Sequence, residues 1–223
     1  MFVLNDMPPA IDAERLTLLS RVETATVGHF LHDGFVDPQI QAVLPDKRVT
    51  GTAVTLRLPG ADSTLLHHVM GLVRPGDVLV IDRAGDLRHA CWGGVVTHAA
   101  KQAGVVAAII DGPATDLGEI RRKEMPLWCR GPSPITTKLL GLSGALNVPV
   151  SCGGQVVEPG DVVLADESGV LVLKPDHIEA VAHRAIAMQD REVEVLTRIS
   201  AGETLPAITG ATAKIETAQQ SQS

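Results

Sequence analysis

The sequence of 223 residues predicts a layered α/β fold in a single domain. Two wholly apolar runs, VLVI at 78–81 and VVAAII at 105–110, have the length and composition of strands buried on both faces. Segments with helical spacing of apolar residues lie between such runs, and Pro-Gly or Asp-Gly punctuation separates the two kinds of element. Strands alternating with helices favour an α/β layered arrangement.

Residues 10–32 carry Ile11, Leu16, Leu18, Leu19, Val22, Val27 and Leu31 at mostly helical spacing, which predicts one or two helices with a break near Thr24-Ala25-Thr26. GTAVTLRL at 51–58 alternates β-branched and small residues and reads as a strand ended by Pro59-Gly60. A helix at 63–72 precedes the strand at 78–81, and GGVVTHAAKQA at 93–103 is helical with an apolar face. After the strand at 105–110 come a short helix at 117–123 and a short strand at 125–129. Short strands follow at 148–151, 162–165 and 170–173, then a long helix over 176–199. The expected domain spans residues 1–209, and the polar tail 210–223 is expected to be disordered. RPGDVLVID at 74–82 and EPGDVVLAD at 158–166 share one turn-then-strand signal, but two copies do not make a repeat architecture.

A net charge of −7 and the absence of a Lys/Arg-rich run argue against a nucleic-acid partner, and with only five aromatic residues there is little for bases to stack on. Three cysteines, none in a C-x-x-C pair, do not make a disulfide framework and fit a reducing compartment. The start MFVLNDMPPA has no basic region leading an apolar stretch, and no window approaches a membrane span. The expectation is a cytoplasmic, unprocessed protein with no membrane partner.

Phosphate-loop, zincin, nucleophile-elbow and dinucleotide signatures are all absent. The eight histidines make no zinc-spaced set with cysteine. Cys91 sits before Trp92-Gly93-Gly94 at a loop-to-helix junction, either as a buried structural thiol or as one activated by helix amides. The glycine-bearing helix start offers unsatisfied N–H groups to an anion such as a carboxylate. In IIDGPATDLGEI at 109–120, Asp116 has two readings: the Asp-x-x-Glu pattern with Glu119 makes it a helix cap, and its place after a buried strand suits a metal ligand.

The ordered blocks GTAVTLRLPG (51–60), RPGDVLVID (74–82), CWGGVVTHAAKQAGVVAAIIDG (91–112), TDLGEI (115–120), GPSP (131–134) and NVPVSCGGQVVEPGDVVLADESGVLVL (147–173) resemble the RraA-like family. That family includes the 4-hydroxy-4-methyl-2-oxoglutarate and 4-carboxy-4-hydroxy-2-oxoadipate aldolases and the regulator of ribonuclease E activity. The resemblance implies a compact α/β/α layered fold of the swivelling β/β/α type, assembled as a homotrimer or homohexamer with sites at subunit interfaces. It also implies a Mg²⁺ or Mn²⁺ cofactor and a small carboxylic-acid substrate.

Family aldolases carry an acid, twenty intervening residues and Arg-Asp, which on this chain fall at Gly94, Thr115 and Asp116. Only the aspartate is kept. The resemblance therefore makes Asp116 the metal ligand, usually through water, and a catalytic residue together with Thr115. The amides of Gly94, Val95 and Val96, with Thr115, are the expected substrate contacts. Replacement cations are available at Arg121, Arg122 and Lys123, or at Arg88 and His89, while Asp62, Asp166 and Glu167 offer further polar groups. The expected function is a divalent-metal-dependent lyase on a small 2-oxo or hydroxy acid, by retro-aldol cleavage or decarboxylation. The alternative is a non-catalytic ring that binds and regulates a protein partner. A third possibility is an enzyme whose substrate bears a neutral or cationic group where relatives bind a carboxylate.

Overall fold

The computed structural model of the protein describes residues 1–221. It divides into two compact units, Met1–Ala182 and a second beginning at His183. The first opens with β1 (Phe2–Leu4), α1 (Ala13–Leu19), α2 (Thr24–Gly28) and β2 (Gln41–Ala42). Alternation then sets in: β3 (Val49–Arg57), α3 (Thr64–Val69), β4 (Asp77–Asp82), α4 (Gly94–Gln102), β5 (Ala107–Asp111), α5 (Leu117–Arg122) and β6 (Leu127–Cys129). A run of short strands follows, β7 (Gly144–Leu146), β8 (Val150–Cys152), β9 (Gln155–Val157), β10 (Val162–Asp166) and β11 (Gly169–Leu173), before α6 (Ile178–Ser200). The chain closes with α7 (Leu205–Thr209) and α8 (Ala211–Gln220).

The main sheet runs β1-β7-β3-β4-β5-β6-β2, with β10 also on β3 and β11 on β10. Its centre, β3-β4-β5-β6, is parallel throughout. The nine residues of β3 make it the hub: Thr52–Arg57 pair with β4, Val49–Thr52 with β10, and Leu56–Arg57 with β7. The two faces of this sheet carry separate cores. On one, Leu79, Ile81, Ala108 and Ile110 pack with Leu66 of α3, Val96 and Ala100 of α4 and Ile120 of α5. On the other, Val78, Val80, Ala107 and Ile109 pack with Val150, Cys152 and Val157 of the β8-β9 hairpin and with β10 and β11. The layering around the parallel strands is therefore β/β/α, within the mixed α/β class expected from the sequence.

Two sequence expectations are corrected. The break between the N-terminal helices falls at Ser20–Glu23, and Thr24–Thr26 opens α2 instead of interrupting it. The cause is distant in sequence: the buried Asp166 carboxylate accepts from the Thr24 amide at 2.8 Å and from its hydroxyl at 2.5 Å, fixing the helix start. The polar tail expected to be disordered is helical over Ala211–Gln220, although α8 buries no residue; positions 222 and 223 of that tail lie outside the described residues. Also unannounced by sequence pattern were β1, β2, β7 and β9, each of three residues or fewer.

Gly51 marks the tightest approach in the parallel centre. A Cβ there would lie 2.5 Å from the Gly76 carbonyl oxygen and 2.7 Å from Val78 Cγ2. Overpacking of this kind costs about 1–3 kcal/mol, so Gly51→Ala should lower the urea midpoint by that equivalent with the m-value unchanged. An unaltered midpoint would contradict the contact.

Candidate functional site

The loops after β4 and β5 deliver α4 and α5 side by side at the carboxyl ends of two paired parallel strands. Trp92, fully buried, donates its indole N–H to Thr97 Oγ1 at 2.9 Å, pinning the loop to the first turn of α4. Gly93 is the N-cap of that helix. A Cβ on Gly93 would come within 2.8 Å of Asp116 Oδ2 and 2.9 Å of Thr115 Cγ2, so the closeness of the two helix starts depends on glycine here.

Asp116 resolves into a third role beside the two read from sequence. It is the N-cap residue of α5, with its carbonyl accepting the Glu119 and Ile120 amides at 2.8 and 3.1 Å, yet its side chain makes no capping bond to α5. Instead Oδ2 accepts the Gly94 amide at 3.0 Å, capping the neighbouring helix α4. The residue adopts the left-handed conformation (φ 53°, ψ 37°), which Asp tolerates better than most non-glycine residues. That twist aims the carboxylate across to α4. Glu119 does not reach back as a capping-box partner; its Oε2 accepts from Arg122 Nη2 at 3.0 Å and its Oε1 lies 3.4 Å from Lys123 Nζ. These cations hold the Glu119 carboxyl below its ordinary range, chiefly through the Arg122 hydrogen bond.

A cleft of about 700 Å³ opens between the two helices. Gly94, Val95 and His98 line it from α4, and Asp116, Gly118, Glu119, Arg122 and Lys123 from α5 and its cap. Asp116, Glu119 and Arg122 with Lys123 recur at helical spacing and share one face. Sequence reasoning had Asp116, Gly94 and Val95 here, and it had Arg122 and Lys123 as spare cations. It missed Glu119, assigned to the cap, and His98; the three-residue spacing from Asp116 was the signal that could have found Glu119.

Other expected residues sit elsewhere. Thr115 is half-buried, gives its amide to the Trp92 carbonyl at 2.8 Å and turns its methyl toward Gly93, so it does not line the cleft. Val96 is 6% exposed and packs in the helix-side core, so only its backbone amide belongs to the helix start. At Gly94, where the family keeps an acid, a Cβ would lie 3.0 Å from Glu119 Cγ, so a side chain here would require Glu119 to shift. Arg121 donates to the Val43 carbonyl at 3.2 Å, and His89 pairs with Asp86 at 2.8 Å. Arg88 is exposed, and its carbonyl accepts the Ser133 hydroxyl at 2.6 Å. Asp166 is committed to α2, and Glu167 lines a separate depression with Gln41 and Trp128. Cys91 is buried, and burial pushes its thiol up to about 11, which fits the structural reading.

Exposed Asp116 has one oxygen engaged by Gly94, and among the described residues Oδ1 makes no hydrogen bond. Among the described residues no group of three or more His, Cys, Asp or Glu side chains could hold a metal ion. A hard divalent cation that keeps most of its waters needs only one or two carboxylates; Asp116 has an oxygen left for one, whereas both Glu119 oxygens face Arg122 and Lys123.

The fold is a mixed α/β scaffold whose parallel strands end at paired helix starts, with an amide-flanked carboxylate between them; in open α/β sheets the carboxyl ends of the strands are where ligand crevices lie. The family model described as Aldolase/RraA, RraA-like, matches residues 19–172, and the chain belongs to that family. A protein of Halalkalibacterium halodurans that carries the provisional name 4-hydroxy-4-methyl-2-oxoglutarate aldolase is 34% identical over 146 residues, covering 66% of this chain and 69% of its own length. The crystal structure of an uncharacterized protein from Pseudomonas syringae pv. tomato aligns with TM-score 0.79 at 27% identity, covering 93% of this chain and 97% of that one. Streptomyces coelicolor RraAS2, described as an unusual member of the RNase ES inhibitor RraA family, aligns with TM-score 0.75 at 28% identity, covering 84% of this chain and 98% of that one. Among the described residues no helix is long and apolar enough to cross a membrane.

Asp62 is structural. Only 1% exposed, it accepts from the Thr64 amide and hydroxyl and from the amides of Leu140 and Leu142, tying α3 to the 138–143 loop. Burial opposes its ionisation, but these hydrogen bonds outweigh that and hold its carboxyl far below the ordinary range. A depressed folded-state value means the stabilisation is present above the unfolded value near 4 and is lost as pH falls toward the folded one. Asp62→Asn should therefore cost on the order of 2 kcal/mol at pH 7, with the gap to wild type closing as denaturation is followed below about pH 4. A gap independent of pH would point to a purely steric role.

Proposed function

We propose that this protein is a divalent-metal-dependent lyase acting on a small 2-oxo or hydroxy carboxylic acid, by retro-aldol cleavage or decarboxylation. The observation that carries the reading is Asp116: a carboxylate held in a left-handed cap, fixed through one oxygen on the Gly94 amide, with the other oxygen left for an ion or its water. A bound Mg²⁺ or Mn²⁺ would supply Lewis-acid polarisation of the substrate's 2-oxo group. Asp116 is the group that would hold that ion.

The protein's own contribution is placement. Amides of Val95 and Val96, in the first turn of α4, have no acceptor within the helix and point to where a substrate carboxylate would lie. Val95, 78% exposed, presents an apolar side chain to the cleft. Thr115 is retained as a backbone strut between the two helix starts and not as a substrate contact. The relative from Halalkalibacterium halodurans supports an aldolase-type reaction. Assembly into a homotrimer or homohexamer, with sites completed across subunits, belongs to the same proposal.

A second reading, a non-catalytic ring that binds a protein partner, is favoured by the likeness to RraAS2 and by Gly94 and Thr115 standing where family aldolases keep charge. Assays separate the two. With oxaloacetate and 4-hydroxy-2-oxo acids as substrates, EDTA should abolish release of pyruvate and Mg²⁺ or Mn²⁺ should restore it. Asp116→Ala should lower kcat by at least about 10²-fold, the scale of losing a positioned electrostatic group. Turnover indifferent to chelation would sink the metal-lyase reading; absence of turnover with stoichiometric capture of a partner would favour the second.

A further inference from the structure

We propose that Arg122 is the residue that receives the substrate's negative charge, its carboxylate on binding and its enolate oxygen at cleavage; this assignment rests on the lyase reading. Such a reaction needs a cation. In a retro-aldol step the bond between C3 and C4 breaks, its electron pair passes to the 2-oxo oxygen as an enolate, and the C4 hydroxyl proton leaves to water. C3 then takes a proton back, so no oxidant or reductant is required. Arg122 exchanges no proton in this sequence and acts only by charge and hydrogen bonding.

Among the cations near the site, geometry selects Arg122. Although it sits in the last turn of α5, its guanidinium folds back along the helix: Nη1 lies 3.5 Å from where a Cβ on Gly118 would be. Glu119 Oε2 holds Nη2 at 3.0 Å, which fixes the fork at the cleft wall and leaves most of its five N–H donors for a ligand. A planar fork suits a carboxylate bidentately, whereas Lys123 beside it is a point charge. Arg121 is spent on the Val43 carbonyl, and Thr115 turns its methyl toward Gly93. The positive charge absent at Thr115 thus returns to the cleft from the far end of the next helix.

The test compares metal-loaded wild type, Arg122→Ala and Arg122→Lys in kcat and KM on oxaloacetate and 4-hydroxy-2-oxo acids. Calorimetric binding of oxalate, an unreactive mimic of the enolate, is measured on the same metal-loaded proteins. Arg122→Ala should lose on the order of 10²-fold in kcat/KM, the scale seen when one positioned donor is removed. It should bind oxalate more weakly and regain part of its rate when guanidinium ion is added. Arg122→Lys should recover only part of the loss, because the fork is gone. The side chain is 72% exposed, so melting temperatures should stay together and exclude a folding defect. If wild type turns over and Arg122→Ala stays within about threefold of it in kcat/KM, the assignment is wrong and the lyase reading survives. If wild type neither turns over any acid nor binds oxalate with Mg²⁺ or Mn²⁺, the lyase reading falls and takes the assignment with it.

Discussion

Parallel pairing of β4 with β5 obliges each strand to be followed by a segment that climbs back over the sheet before the next strand can begin. Asp82 pairs with Asp111 at the ends of the two strands, so the segments leaving them start from neighbouring points. With both faces of these strands buried, the returning segments must be helices with an apolar stripe, and α4 and α5 supply it through Val96, Ala100 and Ile120. The juxtaposition of their starts, on which the cleft depends, is therefore a consequence of sheet topology before it is a matter of chemistry.

Chemistry enters through how closely the starts approach. Gly93 removes a side chain that would hold them apart, and Asp116 takes a left-handed backbone so that its carboxylate reaches Gly94 instead of its own helix. Strain at a non-glycine position persists only where the surroundings hold it. Here the Thr115 amide on the Trp92 carbonyl and the Trp92 indole on Thr97 lock both sides of the junction. The same contact satisfies an orphan amide of α4 and presents a fixed carboxylate to the cleft, so the cap and ligand roles of Asp116 are compatible.

Charge in the cleft is arranged along one face of α5. Asp116 and Glu119 precede Arg122 and Lys123 on it, with Glu119 three and four residues from its two cations, and that pairing holds the Glu119 carboxyl below its ordinary range. On a solvent-exposed helix such pairs contribute little to stability. Facing a cleft, they set the orientation of a guanidinium and a carboxylate toward whatever occupies it.

The apolar runs, their turn punctuation and the helical stripes made the strand and helix order legible, because burial on both faces of a parallel sheet leaves an unbroken hydrophobic signature. Short edge strands such as β1 and β2 left none, since two or three residues carry no measurable period and their pairing is settled by the partner strand. The residues of the junction, Gly93, Gly94 and Asp116, could be marked from sequence, and so could the family whose blocks surround them. What only the tertiary structure decided was direction: that the Asp116 carboxylate caps α4 and not α5, that Thr115 turns away, and that Arg122 folds back over Gly118. A side chain's direction depends on backbone angles and on neighbours distant in sequence, and neither is carried by residue identity and spacing alone.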